Sequence, residues 1–157
     1  MFLNQEETNF VTVPFFLFDP LLNASGRVTL SNCIFLDGFA LSPLLQVSDV
    51  LLGMENCTFN NYSGIGILSM FNSQLIISST GFFNNFATDS LISLSGGTTA
   101  TVVNTTFDRN LCGQSSFLFG EATEVYISHV TGTNNSGTIS GFAYTTGKLI
   151  LADSILM

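Results

Sequence analysis

The sequence contains few basic residues. Three Lys and Arg stand against eleven Asp and Glu in 157 residues, which gives a formal net charge of −8. Nucleic acids and anionic bilayers are bound by clusters of Lys and Arg, whereas Arg27, Arg109 and Lys148 lie far apart. The composition therefore excludes nucleic acid as a partner and argues against electrostatic binding to a membrane surface.

Long apolar runs are also missing. The most apolar stretch, residues 10–22, is interrupted by two prolines and an aspartate and is shorter than the ~20 residues that a spanning helix needs. We therefore expect no membrane span. The N-terminus carries Glu6 and Glu7 where a secretory signal has basic residues, so the signal of an exported protein would lie upstream or have been removed.

Cysteine and histidine are scarce. Three cysteines are too few for a disulfide scaffold, and neither they nor the single histidine, His129, show the paired spacing of a zinc site. The eleven carboxylates are scattered, and no two aspartates are adjacent. We therefore expect no metal, no cofactor and no catalytic residue.

The abundant residues are those of strands and turns. The sequence has sixteen Phe, fourteen Gly, fourteen Asn, eighteen Ser and seventeen Thr. Because 46% of its residues are hydrophobic, the chain has enough apolar surface for the core of one domain. An all-β fold is predicted.

A short phrase recurs with a period of about 24 residues, which lies in the range of repeat proteins. It ends in phenylalanine at positions 35, 59, 83 and 107, and weaker copies follow near 132 and 156. Residues that tolerate turns separate the copies. A second series has nearly the same spacing and consists of Leu44/Gln46, Leu68/Met70, Ile92/Leu94, Phe117/Phe119 and Phe142/Tyr144.

This period, without a helical apolar stripe, indicates a β-solenoid. At roughly 3.3 Å per strand residue, one period makes three short strands and their corners, which is one coil of a parallel β-helix. Successive coils lie ~4.8 Å apart, so equivalent side chains stack. We expect about five to six coils and an inward-pointing core ladder of Phe35, Phe59, Phe83 and Phe107.

Three segments carry a resemblance to known proteins. NCTFNN (56–61), FFNN (82–85) and TTFDRN (105–110) resemble the Asn-Cys-x-Phe and Phe-x-x-Asn repeats of right-handed parallel β-helix surface proteins. Such proteins include the polymorphic outer-membrane proteins and related pectin-lyase-like extracellular repeats. The resemblance covers residues 27–157 and implies a right-handed, single-stranded parallel β-helix. That fold hosts adhesins, enzymes and spacers alike, so it specifies no activity.

The distribution of acids decides between the functions known on this fold. Polysaccharide lyases and hydrolases need acids that converge on one face. The scattered carboxylates instead favour a structural or adhesive element of an extracellular surface or filament that is not an enzyme. The alternative is a polysaccharide-binding or carbohydrate-active pectin-lyase-like domain. Aromatic residues such as Tyr62 and Phe86 could stack on sugars, or they could fold back over the corners of the coil.

Asn-x-Ser/Thr sequons indicate an extracellular or cell-surface glycoprotein. Asn61 and Asn134 fall in Gly- and Ser-rich turns and are the best predicted acceptors. Asn56 and Asn104 lie just before ladder positions, so a glycan on either requires an outward corner. The five sequons begin at Asn23, Asn56, Asn61, Asn104 and Asn134.

Cys33 and Cys57 occupy the same place in consecutive repeats. The strand spacing of ~4.8 Å lies inside the range of Cα separations that disulfides accept. The pair could form a disulfide, and two buried thiols acting as small apolar side chains fit equally well. Cys112 follows a predicted turn residue and has no partner in the repeat, so we expect it to be free or paired outside the chain.

Residues 1–157 are expected to form one solenoid domain, with a less regular coil or joining layer in residues 1–26 and the repeats in residues 27–157. The stretch 148–157 restarts the repeat without a cap, and an open solenoid end exposes apolar core and unpaired backbone groups. We therefore expect further coils or other copies of the protein to stack end to end, with Phe15, Phe16 and Phe18 in the joining layer. Surface glycans are the other predicted partner.

Overall fold

The computed structural model describes residues 26–115, 117–121, 124–139 and 142–157, which form a parallel β-solenoid. Each coil contributes four short strands, and equivalent strands of successive coils pair in parallel. No helix occurs within these ranges. Asn23 and the three phenylalanines predicted for the joining layer lie outside them.

Strands of two to six residues alternate with corners around the coil. The first two coils contain β1 (Gly26–Ser31), β2 (Ile34–Leu36), β3 (Phe39–Ala40), β4 (Leu45–Ser48), β5 (Val50–Glu55), β6 (Thr58–Asn60), β7 (Ser63–Gly64) and β8 (Leu68–Phe71). The next two contain β9 (Gln74–Ser78), β10 (Gly81–Phe83), β11 (Phe86–Ala87), β12 (Ile92–Ser95), β13 (Thr99–Val103), β14 (Thr106–Asp108), β15 (Leu111–Cys112) and β16 (Leu118–Gly120). The fifth coil and the start of a sixth contain β17 (Glu124–Ser128), β18 (Thr131–Thr133), β19 (Ser136–Gly137), β20 (Ala143–Thr145), β21 (Lys148–Ala152) and β22 (Ile155–Leu156).

The strands build four sheets that surround one core. The first sheet is β1-β5-β9-β13-β17-β21, the second is β2-β6-β10-β14-β18-β22, the third is β3-β7-β11-β15-β19 and the fourth is β4-β8-β12-β16-β20. Phe35 pairs with Phe59 and Phe82 with Phe107, which confirms the period that the repeated phrase predicts. The second series is wrong by one residue at two places, since Leu68 pairs with Leu45 rather than Leu44 and Ile92 pairs with Leu118 rather than Phe117. The expectation of three strands per coil is wrong, because each coil has four. The additional strand is the two-residue strand of the third sheet.

Phenylalanine rings stack in the core behind the second sheet. The ring centroids of Phe35 and Phe59 are 4.6 Å apart, those of Phe59 and Phe82 are 5.0 Å apart, and those of Phe82 and Phe107 are 4.8 Å apart. The placement of Phe83 in this ladder is wrong. Phe83 pairs with Asn60 and Asp108 instead, because the coil that leads from Phe59 to Phe82 is slightly shorter than the average period. A shift of one residue moves a strand side chain to the opposite face, so Phe82 takes the inner place.

The ladder changes character at Gly132, which pairs with Phe107 on one side and Leu156 on the other. A Cβ atom at Gly132 would lie 3.1 Å from the Phe142 ring. The Phe117 and Phe142 rings reach this part of the core from the side of the fourth sheet, with centroids 3.9 Å and 5.7 Å from that of Phe107. The missing side chain of Gly132 therefore makes room for Phe142.

A second internal ladder consists of the buried asparagines Asn85 and Asn110, continued by Asn135. Asn85 Nδ2 donates to the carbonyl oxygen of Phe59 at 3.1 Å and to Asn110 Oδ1 at 2.9 Å. Asn110 Nδ2 donates in the same way to the carbonyl oxygen of Phe82 at 3.0 Å and to Asn135 Oδ1 at 2.9 Å. These amides satisfy buried backbone groups of neighbouring coils, which is the physical role of the Phe-x-x-Asn phrase.

The outward corners consist largely of residues in the left-handed backbone conformation. Among the residues that the structure describes, thirteen non-glycine residues have positive φ, and seven of them are Asn and three are Asp. These residue types adopt the left-handed conformation at the lowest cost. The first corner, between the first and second sheets, contains Asn32, Asn56, Ser79, Asn104, His129 and Asp153. The second corner, between the second and third sheets, contains Asp37, Asn61, Asn84, Arg109 and Asn134.

The corrected ladder predicts that Phe82 and Phe83 contribute unequally to stability. Phe82→Ala should reduce the free energy of unfolding by about 3 to 5 kcal/mol, since it leaves a cavity in a fully buried stack. Phe83→Ala should cost about 1 kcal/mol or less, because this ring is only partly buried on the outer face. Urea denaturation of both variants measures the difference. Equal losses would contradict the assignment of Phe82 to the ladder.

Candidate functional site

The carboxylates of the described residues are spread around the coil. Asp37 lies at the second corner, Asp49 between the fourth and first sheets, and Asp89 between the third and fourth sheets. Glu124 forms an exposed ion pair with Lys148 at 2.9 Å. Within the described ranges, no three His, Cys, Asp or Glu residues lie close enough to hold a metal ion. The same ranges contain no helix that is long and apolar enough to cross a membrane.

Asp108 is held by three donors at the second corner. Thr133 Oγ1 donates to it at 2.7 Å, Arg109 Nε at 2.8 Å and Asn134 Nδ2 at 3.3 Å. The Thr133 hydrogen bond is the main reason why the pKa of Asp108 lies below its ordinary value. These contacts tie the fourth and fifth coils together at the surface.

His129 is exposed at the first corner, where its Nδ1 atom lies 2.7 Å from Ser128 Oγ. Asp153 occupies the same corner one coil further on. The side-chain hydrogen bond joins Ser128 to His129, and no described side-chain hydrogen bond extends from them to Asp153. The arrangement therefore lacks the chain of contacts that activates a serine nucleophile.

Asp89 and Gln114 form a buried polar spot where the third and fourth sheets meet. They occupy stacked positions, since the Gln114 backbone N–H donates to the carbonyl oxygen of Asp89 at 2.9 Å. Asp89 Oδ1 and Gln114 Oε1 are both buried and lack a hydrogen-bond partner among the described residues. Burial raises the pKa of Asp89, although a hydrogen bond from the Ser93 hydroxyl opposes this shift. A buried carboxylate oxygen that lacks a donor makes this spot unfavourable for ionised Asp89.

Cys33 and Cys57 stack in adjacent coils as free thiols. Burial raises the pKa of Cys57 to about 11. Cys112 is buried in β15 rather than lying in a turn, and burial raises its pKa to about 11. Thiols with raised pKa values are weak nucleophiles, which favours a packing role for both buried cysteines. A disulfide between Cys33 and Cys57 stays a prediction.

Four sequons lie within the described residues, and each of their asparagines is exposed in the left-handed conformation. Asn56 and Asn104 lie at the first corner, which is the outward position that a glycan requires. Asn61 and Asn134 lie at the second corner. The four acceptor asparagines therefore border the second sheet on both of its sides.

The third sheet presents aromatic side chains to solvent. Phe39 is 64% exposed and Phe86 is 45% exposed, and the two residues pair with Ser63 from opposite sides. Tyr62 is buried, and its hydroxyl donates to the carbonyl oxygen of Ser42 at 3.2 Å. Tyr62 thus folds into the core, whereas Phe86 faces solvent. Sequence reasoning missed Phe39, because no Asn pair precedes it as one precedes Phe86.

The last coil presents core positions that nothing in the described ranges covers. Leu149 and Leu151 pair with the fully buried Val125 and Ile127, yet they are 42% and 47% exposed. A depression beside them is lined by Gly132, Asn135, Phe142, Leu156 and Met157. The end of the stack is therefore an apolar surface bounded by strand edges.

The polar spot at Asp89 predicts that Asp89→Asn stabilises the protein at neutral pH. The raised pKa means that the folded state binds the proton more tightly than the unfolded state, so stability falls as pH rises through the folded pKa. The variant removes this loss and supplies an N–H donor. Because Asp89 is only partly buried, the gain at pH 7 should be less than about 1 kcal/mol, and it should vanish below the ordinary pKa of an aspartate.

Urea denaturation at neutral and acid pH tests this expectation, and Asp108→Asn is the control of opposite sign. The pKa of Asp108 is lowered, so its contribution to stability is present above the unfolded pKa and is lost as pH falls. Asp108→Asn should therefore destabilise the protein at neutral pH. A loss of stability in Asp89→Asn at pH 7 would show that the carboxylate has a partner and contradict this account of the spot.

Residues 21–153 match the family model described as the right handed beta helix region. No curated protein and no solved structure matches the chain. The match spans most of the sequence and agrees with the four parallel sheets and with the right-handed β-helix that the resemblance implied. The chain therefore belongs to the right-handed β-helix family.

Proposed function

We propose that this chain is a non-catalytic structural or adhesive element of an extracellular surface or filament, and that it is glycosylated. The observation that carries the proposal is the regular stacking of the coils, in which Leu149 and Leu151 of the last described coil take the core positions of Val125 and Ile127. Because every coil of a β-helix has nearly the same cross-section, these core positions fit a further coil of the chain or another copy of the protein.

Stacking on this end would be favourable for two reasons. Burial of a leucine side chain stabilises by about 1.5 to 3 kcal/mol when it is complete, and Leu149 and Leu151 are each about half buried already. The edges of β21 and β22 also present backbone groups that an added strand would pair. Because the coils stack along one axis, repeated stacking of copies would extend along that axis and give a filament rather than a closed ring.

The chemistry of the described side chains supports a non-catalytic role. The carboxylates are spread around the coil, and the pKa values of the buried thiols of Cys57 and Cys112 are raised to about 11. The second candidate, a polysaccharide-binding domain, is favoured by the exposed rings of Phe39 and Phe86 on one sheet. Retention of unglycosylated protein on an immobilised polysaccharide, with loss of retention in Phe86→Ala, would favour that candidate.

An extracellular location is supported by the corners. The asparagines of the four described sequons are exposed at corners of the solenoid, where an attached glycan can project into solvent. Right-handed β-helix domains are frequent in secreted and surface proteins. Both observations favour a cell-surface or secreted glycoprotein.

Association through the open end predicts that Leu151→Asp weakens self-association and Ile150→Asp does not. Leu151 lies on the core side of β21, whereas its neighbour Ile150 pairs with the outward Tyr126. Sedimentation of the chain at increasing concentration should show growing assemblies for the unmodified protein and for Ile150→Asp, and monomers for Leu151→Asp. Circular dichroism checks that both variants remain folded. A chain that stays monomeric at every concentration would contradict this role of the end.

Glycosylation predicts a mass decrease when native material is treated with an N-glycosidase. We expect at least partial occupancy of the five sequons, with Asn61 and Asn134 the most occupied. Peptide mass spectrometry assigns the sites, because removal of the glycan converts each occupied asparagine to aspartate. An unchanged intact mass in native material would refute both the glycan and the compartment.

A further inference from the structure

The four described sequons differ in what lies beside their Ser or Thr residue. Ser63, of the Asn61 sequon, pairs with Phe39 in the coil before and with Phe86 in the coil after. Thr58, of the Asn56 sequon, pairs with Ile34 and Gly81. Thr106, of the Asn104 sequon, pairs with Gly81 and Thr131. Ser136, of the Asn134 sequon, pairs with Leu111. Among these four sites, a flanking phenylalanine on both sides is particular to Asn61.

The two phenylalanines and the serine form a slot on the outer face of the third sheet. Strands in a sheet are ~4.8 Å apart, so the backbones that bear Phe39 and Phe86 are roughly 10 Å apart with the strand of Ser63 between them. Phe39 is 64% exposed and Phe86 is 45% exposed. Ser63 lies between them in the sheet, and its side chain is much smaller than either ring.

The side-chain amide of Asn61, to which a glycan would be attached, is held on the Phe39 side of this slot. Asn61 Nδ2 donates to Asp37 Oδ1 at 2.6 Å, so the amide leans toward the first coil, where Phe39 follows Asp37 by two residues. A glycosylated asparagine keeps one hydrogen on Nδ2, and this hydrogen bond can therefore persist beneath the first sugar.

We propose that the first sugars of a glycan at Asn61 lie over Ser63 and cover one face each of Phe39 and Phe86. This inference rests on the proposed glycosylation. The C–H face of a pyranose ring is apolar and flat, and packing it on an aromatic face removes apolar surface from water while the hydroxyl groups remain hydrated. The glycan would thus cover an aromatic patch that the protein itself leaves open.

Hydroxyl-radical footprinting with peptide mass spectrometry tests this contact, because oxidation of a side chain reports its exposure. The full chain is made in a glycosylating eukaryotic host and also in a bacterial host that adds no glycan. A flat ring has two faces, so oxidation of Phe39 and Phe86 should be about twofold lower in the glycosylated protein. Phe71, an exposed phenylalanine of the fourth sheet whose paired neighbours Ser48 and Ser95 belong to no sequon, should change little.

Sequon variants identify the glycan that is responsible. Ser63→Ala removes the acceptor at Asn61 and should restore the oxidation of both rings, whereas Ser63→Thr keeps the acceptor and should preserve the protection. Thr106→Ala removes the acceptor at Asn104, which has no flanking aromatic residue, and should leave both rings protected. In bacterial protein, Ser63→Ala should have no effect on oxidation, which separates loss of the glycan from loss of the hydroxyl.

Two results would overturn the inference, and they are distinguishable. If Asn61 is occupied and the rings are oxidised equally with and without the glycan, the contact does not form although the proposed glycosylation stands. If Asn61 is unoccupied in native material while other sequons carry glycans, the inference fails together with that part of the proposed function.

Discussion

Parallel pairing of each coil with the next is the constraint on which the rest of the molecule depends. Because Phe35 pairs with Phe59 and Val28 pairs with Leu52, the neighbours of each residue are the residues at the equivalent positions of the adjacent coils. A side chain that suits one coil must then suit the coils above and below it. This requirement makes the sequence repetitive, and it converts single residues into ladders of phenylalanine, asparagine and left-handed corner residues.

The same pairing explains where the repeat can vary. The separation between equivalent positions is not constant along the chain, because a corner can lose or gain a residue while the paired strands remain in register. At Gly132 the phenylalanine ladder has no ring, and the Phe142 ring, which reaches the core from the side of the fourth sheet, fills the space. Each coil must therefore fill its part of the core, but the residue type at any single position can vary.

Much of the fold follows from the spacing of phenylalanines and turn residues, whereas the details depend on packing. The period predicts the solenoid, and Phe35, Phe59 and Phe107 occupy the ladder. The pair Phe82 and Phe83 could not be resolved, since both are phenylalanine and a shift of one residue reverses which of them faces the core. The pair Asn84 and Asn85 presents the same ambiguity, with one amide at an exposed corner and the other buried in the asparagine ladder.

Surface features were less predictable than the core, for a physical reason. The inside of a coil is restricted by volume and by hydrogen bonding, while an outward side chain has only its neighbours in adjacent coils to satisfy. Phe39 and Phe86 lie on either side of Ser63 only because the third sheet places the equivalent positions of three successive coils side by side. The sequence presents them as isolated aromatics. Stacking turns them into one surface beside a sequon, and stacking likewise turns the separate residues of the last coil into a single apolar end. In this fold, the pairing that builds the core therefore also assembles the surfaces through which the molecule would meet glycans and further coils.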